Sequence, residues 1–283
     1  MSAIRIVTDS TADIPQDVRE RLNIEIVPLK VLFGEETFLD SVTINSGQFF
    51  DKLTSSAVLP TTSQPSPAEF MATYDRILNE SPGATIISIH LSSALSGTYQ
   101  SAVLGHSLLE RDGDIVVIDS KSASYGFGML VVKAAELAAA GMPRDQILEE
   151  IETMTREKRL YFLVDTLEYL QKGGRIGKAA ALFGSILNIK PILSVDADGE
   201  VTAVDKVRGQ KKALQRIMDL LAKDFGSDPV DITLAWATSN ETALELGEQA
   251  KARFQVRSTK HTRIGSVIGT YVGPGTVAIF INR

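Results

Sequence analysis

The chain has no cysteine among its 283 residues. That excludes disulfides and thiol catalysis, and it fits a reducing compartment. Positive charge is also in deficit: 29 Lys and Arg against 35 Asp and Glu leave a formal charge of −6. Nonspecific partners such as nucleic acid or an anionic membrane want a basic face, so neither is expected. No uncharged apolar run reaches the roughly 18–20 residues that a membrane helix needs, and no stable membrane insertion is expected. The opening MSAIRIVTDS has no long apolar core behind a basic region and reads as no secretory signal. These absences together describe a cytoplasmic protein. Histidine is scarce, with His90, His106 and His261 scattered, and no Gly-x-Ser-x-Gly elbow surrounds any serine. A Ser-His-Asp hydrolase therefore has little local support, although a triad can assemble from distant segments. Neither a Walker A motif nor Gly-x-Gly-x-x-Gly follows the first apolar run, so the nucleotide enzymes that depend on those glycines are not expected.

What is present is apolar material, 44% of the chain, enough for two cores, and the length favours two domains. Ile4–Thr8, Ala84–Ile89, Ile115–Ile118 and Leu160–Val164 read as buried parallel strands separated by amphipathic segments. Ser66-Pro67-Ala68-Glu69 starts a helix over Pro67–Asn79: a serine cap, proline in the first turn, and glutamate three residues after the cap. Met129–Ala140 and Pro143–Thr155 read as two more helices. This is a βαβ pattern. After about residue 160 the texture changes. Asp198-Gly199 turns a hairpin between Ile189–Val195 and Val201–Val207. A helix near 209–224, a strand Ile232–Ala237, a helix Glu241–Arg253 and two terminal strands follow, the last being Thr276–Ile281. The expected fold is therefore α/β in two domains, 1–160 with a mainly parallel sheet and 161–283 with a mixed sheet.

Three strands end alike, at Thr8-Asp9-Ser10, Ile118-Asp119-Ser120 and Val164-Asp165-Thr166. On one carboxyl edge these acids would gather where open α/β sheets bind ligands, and could hold a hard cation. Helix caps and Asx turns explain the same residues more simply, and no metal motif accompanies them. Two hydroxyl-rich loops, Pro60–Ser66 and Ser92–Thr98, each precede a helix start. Together they offer neutral donors without fixed charge, which suits one carboxylate, although Ser66 and Ser96 could equally be caps. Lys172–Gly177 (KGGRIG) is either an oxyanion-binding loop or a plain helix C-cap. Gly273-Pro274-Gly275 is a turn or a loop lining a cleft.

Six stretches in this order resemble the DegV family of fatty-acid-binding proteins. They are Val7–Asp13, Thr62–Ser66, Leu91–Ala102, Thr166–Gly177, Lys206–Arg208 and Gly273–Gly275. The resemblance implies one long-chain, palmitate-like fatty acid buried between two α/β domains, with no other cofactor and no catalytic residue. By it, Thr62 and Ser96 hold the carboxylate, while Ser63, Ser92, Ser93 and Gly97 form a surrounding polar wall. Arg175 and Arg208 fall near the cleft mouth, where they would serve a partner and leave ligand affinity unchanged. That partner is the catalytic subunit of a fatty acid kinase, which makes the acyl phosphate. Tyr271 departs from the pattern, since relatives often carry histidine there. Ala179–Leu187 could line the lipid channel or be ordinary core. The rival reading is an esterase or phosphotransferase acting at the same cleft.

Overall fold

The computed structural model describes residues 3–184 and 189–283. Up to residue 119 the strands are β1 (Ile4–Asp9), β2 (Glu25–Val27), β3 (Lys30–Phe33), β4 (Glu36–Leu39), β5 (Thr61–Ser63), β6 (Thr85–His90) and β7 (Asp114–Asp119). Beyond it come β8 (Arg159–Leu163), β9 (Ile189–Val195), β10 (Val201–Arg208), β11 (Val230–Trp236), β12 (Val256–Arg263) and β13 (Val277–Asn282). The first sheet runs β2-β1-β6-β7 with every pair parallel. A mixed sheet runs β10-β9-β8-β13-β11-β12, antiparallel except where β11 meets β12. The fold is thus α/β, with a parallel sheet early in the chain and a mixed sheet late.

Successive side chains of a strand point to opposite faces, and β6 is buried on both of them. In β1 and β6, Val7 and Ile86 pack under Phe70, Tyr74 and Ile77 of the helix Pro67–Glu80. Ile6, Ile87 and Ile89 face the opposite way, toward Phe127 and Leu130 of the helix Tyr125–Ala139. That core runs without a break into the mixed sheet through Leu160, Phe162 and Phe280, and Tyr125 meets Phe280 edge-on at 6.0 Å. The helix therefore lies between the sheets, which explains why Tyr125 to Val132 are all buried and the segment has little polar face. The far face of the mixed sheet packs Leu163, Ile279 and Ile281 against the helices Gln210–Phe225 and Glu241–Arg253.

The helix at Pro67 starts as its sequence indicates. Ser66 Oγ accepts from Glu69 N (3.3 Å), and Ser66 N donates to Glu69 Oε2 (2.7 Å). One strand differs from expectation: β8 is not parallel but lies antiparallel to both β13 and β9. A buried apolar run carries no mark of its direction, which is set by β9 and by the distant β13 at the end of the chain. Also unanticipated are the small antiparallel sheet β4-β3-β5 and the helices Ser46–Ser55 and Ser266–Val272.

Candidate functional site

A narrow cavity lies where the two sheets approach each other, with about 80 Å³ of room for the centres of water-sized spheres. Its apolar wall draws on both halves of the chain. Leu91 and Leu95 come from the loop after β6, Leu160 and Phe162 from β8, Ala278 and Phe280 from β13. The helix Ser266–Val272 adds Val267, Ile268 and Val272.

One stretch of the wall is polar. Thr62 Oγ1 and Tyr271 Oη are hydrogen-bonded at 2.6 Å. The Arg175 guanidinium sits over the Tyr271 ring, 4.8 Å from its centroid. Arg175 Nε donates to Leu95 O (3.1 Å) and Nη1 to Gly173 O (2.9 Å), which fixes the side chain next to Ser96. Thr62, Ser96, Arg175 and Tyr271 are all half-buried and all line the cavity. Two further hydroxyls of the wall are already engaged: Ser124 donates to Asp13 Oδ2, and Thr276 to the carbonyls of Val272 and Gly273. Arg175 is the one charged residue lining this cavity among the described residues. The hydroxyl loops predict neutral donors without nearby fixed charge here; the Arg175 guanidinium instead stands beside them in the cavity wall.

Ser63, Ser92, Ser93 and Gly97, expected as a surrounding polar wall, are not among the residues that line this cavity. Ser63 is exposed. Ser92 is fully buried and donates to Gly199 O (2.9 Å), tying the loop after β6 to the β9–β10 hairpin. Ser93 donates to Asp119. Gly97 is pressed by the Gln64 side chain. Arg208 stands exposed on the edge strand β10, away from the cavity. Ser96 Oγ accepts from Thr98 N (3.3 Å) just ahead of the helix Thr98–Ser107, whose N-cap is Gly97, and Ser96 also lines the cavity. Ser66 is a cap alone. Of Ala179–Leu187, residues 179–184 do not line the cavity and the remainder lies outside the described residues.

The three strand-end aspartates do not converge. Asp9 is buried, accepting from Thr11 N (3.1 Å), Leu91 N (3.1 Å) and bonded to His90 Nδ1 (3.0 Å). Asp119 pairs with Lys121, while Asp165 belongs to the other sheet, exposed and paired with Lys190. Among the described residues no group of three His, Asp or Glu is placed to hold a metal. A triad-like series does assemble from distant segments: Asp9, His90, Ser88 and Tyr74 bond in sequence at 3.0, 2.7 and 2.8 Å. All four side chains are sealed from solvent, and none lines the cavity. No substrate reaches them, so the series is a satisfied core network.

Sequence reasoning missed Arg175 as a wall residue and Tyr271 as the partner of Thr62. The signals were present, in the arginine after a double glycine and in the one residue noted as a departure, but nothing local brings positions 62, 175 and 271 together.

An α/β pair of sheets enclosing an apolar cavity with a hydroxyl-and-arginine patch has the form of a small-molecule site. A family model described as "Uncharacterised protein, DegV family" matches residues 3–283. Protein DegV of Bacillus subtilis is 38% identical, with 98% of each chain covered. A DegV family protein from Thermus thermophilus, described by its fatty acid binding, superposes with a TM-score of 0.92 at 36% identity, covering 99% of both chains. A stearic acid-binding protein from Eubacterium ventriosum gives a TM-score of 0.89 at 25% identity, over 100% of this chain and 98% of that one. The chain belongs to the DegV family.

Proposed function

We propose that this protein is a cytoplasmic carrier of one long-chain, palmitate-like fatty acid, held between its halves 1–160 and 161–283. The observation that carries this reading is the apolar cavity bearing one patch of Thr62, Ser96, Tyr271 and Arg175. The tail would supply affinity at about 0.8 kcal/mol per buried methylene, so 14 methylenes contribute roughly 11 kcal/mol before the costs of association. The head-group patch then orients more than it attracts. Arg175 spends Nε and Nη1 on backbone carbonyls, and among the described residues no hydrogen bond engages its Nη2. That leaves a fixed donor for a carboxylate. Solved relatives described as binding fatty acids support the same reading.

The experiment is native mass spectrometry of protein purified from cells, followed by titration after delipidation. One C14–C18 acid per chain should copurify. Thr62→Val and Ser96→Ala should each weaken rebinding roughly tenfold, the loss of one hydrogen bond to a charged group. Absence of saturable binding would end the carrier reading, and unaltered affinity in both variants would move the head group elsewhere.

The carrier would present its acid to the catalytic subunit of a fatty acid kinase. There a carboxylate oxygen attacks the terminal phosphorus of a nucleoside triphosphate, the bond from that phosphorus to its bridging oxygen breaks, and acyl phosphate and nucleoside diphosphate leave. The half-buried state of the head-group residues supports this, because a fully enclosed carboxylate could not be attacked. Arg208, exposed on β10, suits such a partner's oxyanions. Arg208→Ala is expected to keep fatty acid affinity and to slow kinase-coupled acyl phosphate formation. Full turnover in that variant would return Arg208 to the solvent. No residue is assigned a catalytic role, and the esterase and phosphotransferase alternative gains nothing from the sealed Asp9–His90–Ser88 series.

A further inference from the structure

We infer that Gly173 is a positioning residue for the head-group patch, seating Tyr271 and tethering Arg175 at once; the inference rests on the reading of that patch given above. Gly173 ends the short helix Glu168–Lys172 with φ −78° and ψ −7°, ordinary right-handed backbone that any residue adopts. A helix stop therefore does not explain why it is glycine. Its neighbour Gly174 shows the contrast: φ is +70°, and a Cβ there would meet nothing within 4 Å. Conformation alone accounts for Gly174. At Gly173 the constraint is space, since a Cβ would lie 2.8 Å from Tyr271 Cε1 and closer still to Cδ1. The Tyr271 ring rests where that side chain would be. The Gly173 carbonyl meanwhile accepts from Arg175 Nη1 (2.9 Å), and the Arg175 guanidinium stacks over the same ring.

The contact is reciprocated. A Cβ on Gly273, which follows the helix Ser266–Val272, would lie 2.5 Å from Cε2 of Tyr169. Each tyrosine ring thus occupies the space left by the glycine of the other loop, and the two helices interlock. Gly273 also has φ +75°, so a substitution there is strained for two reasons. Gly173 has only one, which makes it the cleaner probe. Alanine at 173 would push the ring aside, break the Thr62–Tyr271 hydrogen bond and move the surface on which Arg175 stacks.

The test is a cycle of Gly173→Ala, Tyr271→Ala and the double variant, read by palmitate titration of delipidated protein. The same variants are examined without ligand by NMR of ring-labelled tyrosine, of which the chain has six. Gly173→Ala should weaken palmitate binding roughly tenfold, as for one lost hydrogen bond to a charged group. It should leave methyl palmitate affinity unchanged and shift the Tyr271 ring signals. In the Tyr271→Ala background it should cost much less, because the ring clash is gone and only the tight contact with the Tyr169 carbonyl, at 3.0 Å, remains. If Gly173→Ala alone does not fold, a folded double variant supports the inference just as well. An equal loss in both backgrounds, or an unmoved Tyr271 signal with wild-type affinity, overturns it. Should the protein bind no fatty acid at all, the carrier reading falls, while the ligand-free spectra still decide whether Gly173 places Tyr271.

Discussion

Arg175→Ala is expected to weaken fatty acid binding by about 2–5 kcal/mol, the usual cost of removing one partner of a buried charge pair, or roughly 30- to 5,000-fold. The guanidinium is only half-buried, so solvent screening puts the effect toward the lower end. The argument is geometric. Two carbonyl acceptors, Leu95 O and Gly173 O, hold the fork before any ligand arrives, so little side-chain entropy is lost on binding. Arg175→Lys restores charge without the fork or the stack on Tyr271 and should recover only part of the affinity. Methyl esters carry no charge and should bind wild type and Arg175→Ala alike. Calorimetric titration of delipidated protein with an acid and its ester separates these cases. Equal acid affinity in Arg175→Ala and wild type would return the arginine to the partner-facing role that the sequence alone indicates.

What was legible in the sequence is what short-range chemistry determines. The Ser66–Glu69 capping box, the Asp198-Gly199 hairpin and the helix Glu241–Arg253 each depend on residues within a few positions of one another. The two hydroxyl loops were legible as a carboxylate-binding pair, but the choice of Thr62 and Ser96 within them came through the resemblance to relatives; the loops themselves also permit capping. Strand direction at β8 was not legible, because an apolar run pairs equally well either way. β5 was missed because three polar residues, Thr61–Ser63, give no alternation to detect and become a strand only by pairing with β3. Ser92 looked like a cavity hydroxyl because its loop is rich in them. Its actual acceptor, Gly199 O, is 107 residues away. The same distance problem hid Arg175, whose place depends on Tyr271 lying over Gly173.

Distance also hid two buried acids that hold the helix bearing Tyr271. Asp13 Oδ1 accepts from Gly265 N (3.0 Å), and its Oδ2 accepts from the Ser124 hydroxyl. Asp40 Oδ1 accepts from both the backbone N and the hydroxyl of Ser266, while its Oδ2 is buried and makes no hydrogen bond of normal geometry, with only the nearby Ser10 hydroxyl favouring its charged form. Burial pushes both carboxyls above the usual range, Asp13 well above, and neighbouring acids add to this: Asp40 and Asp9 on Asp13, Asp9 on Asp40. Arg19 is within electrostatic reach of Asp40 but makes no ion pair with it among the described residues. A carboxyl whose folded pKa is raised contributes stability that is fully present below its unfolded value of about 3.9, and that is lost as pH rises through the folded value. These two acids should therefore make the protein less stable on going from about pH 4 to about pH 8. Asp114, held down by the Thr85 hydroxyl and Arg144, and Asp205, held down by Arg216 and the Lys206 backbone N–H, act in the opposite sense, losing stability as pH falls. Comparing a variant with wild type at each pH removes their contribution. Asp40→Asn keeps the acceptor for Ser266 and puts a neutral amide where Oδ2 makes no hydrogen bond of normal geometry. It should leave the melting temperature unchanged near pH 4 and raise it by roughly 5 °C near pH 8, where the unpaired buried charge would otherwise cost most. Asp13→Asn should not match it, because both oxygens of Asp13 accept hydrogen bonds and an amide supplies only one acceptor. A shift of equal size at both pH values would mean that Asp40 acts through packing rather than charge.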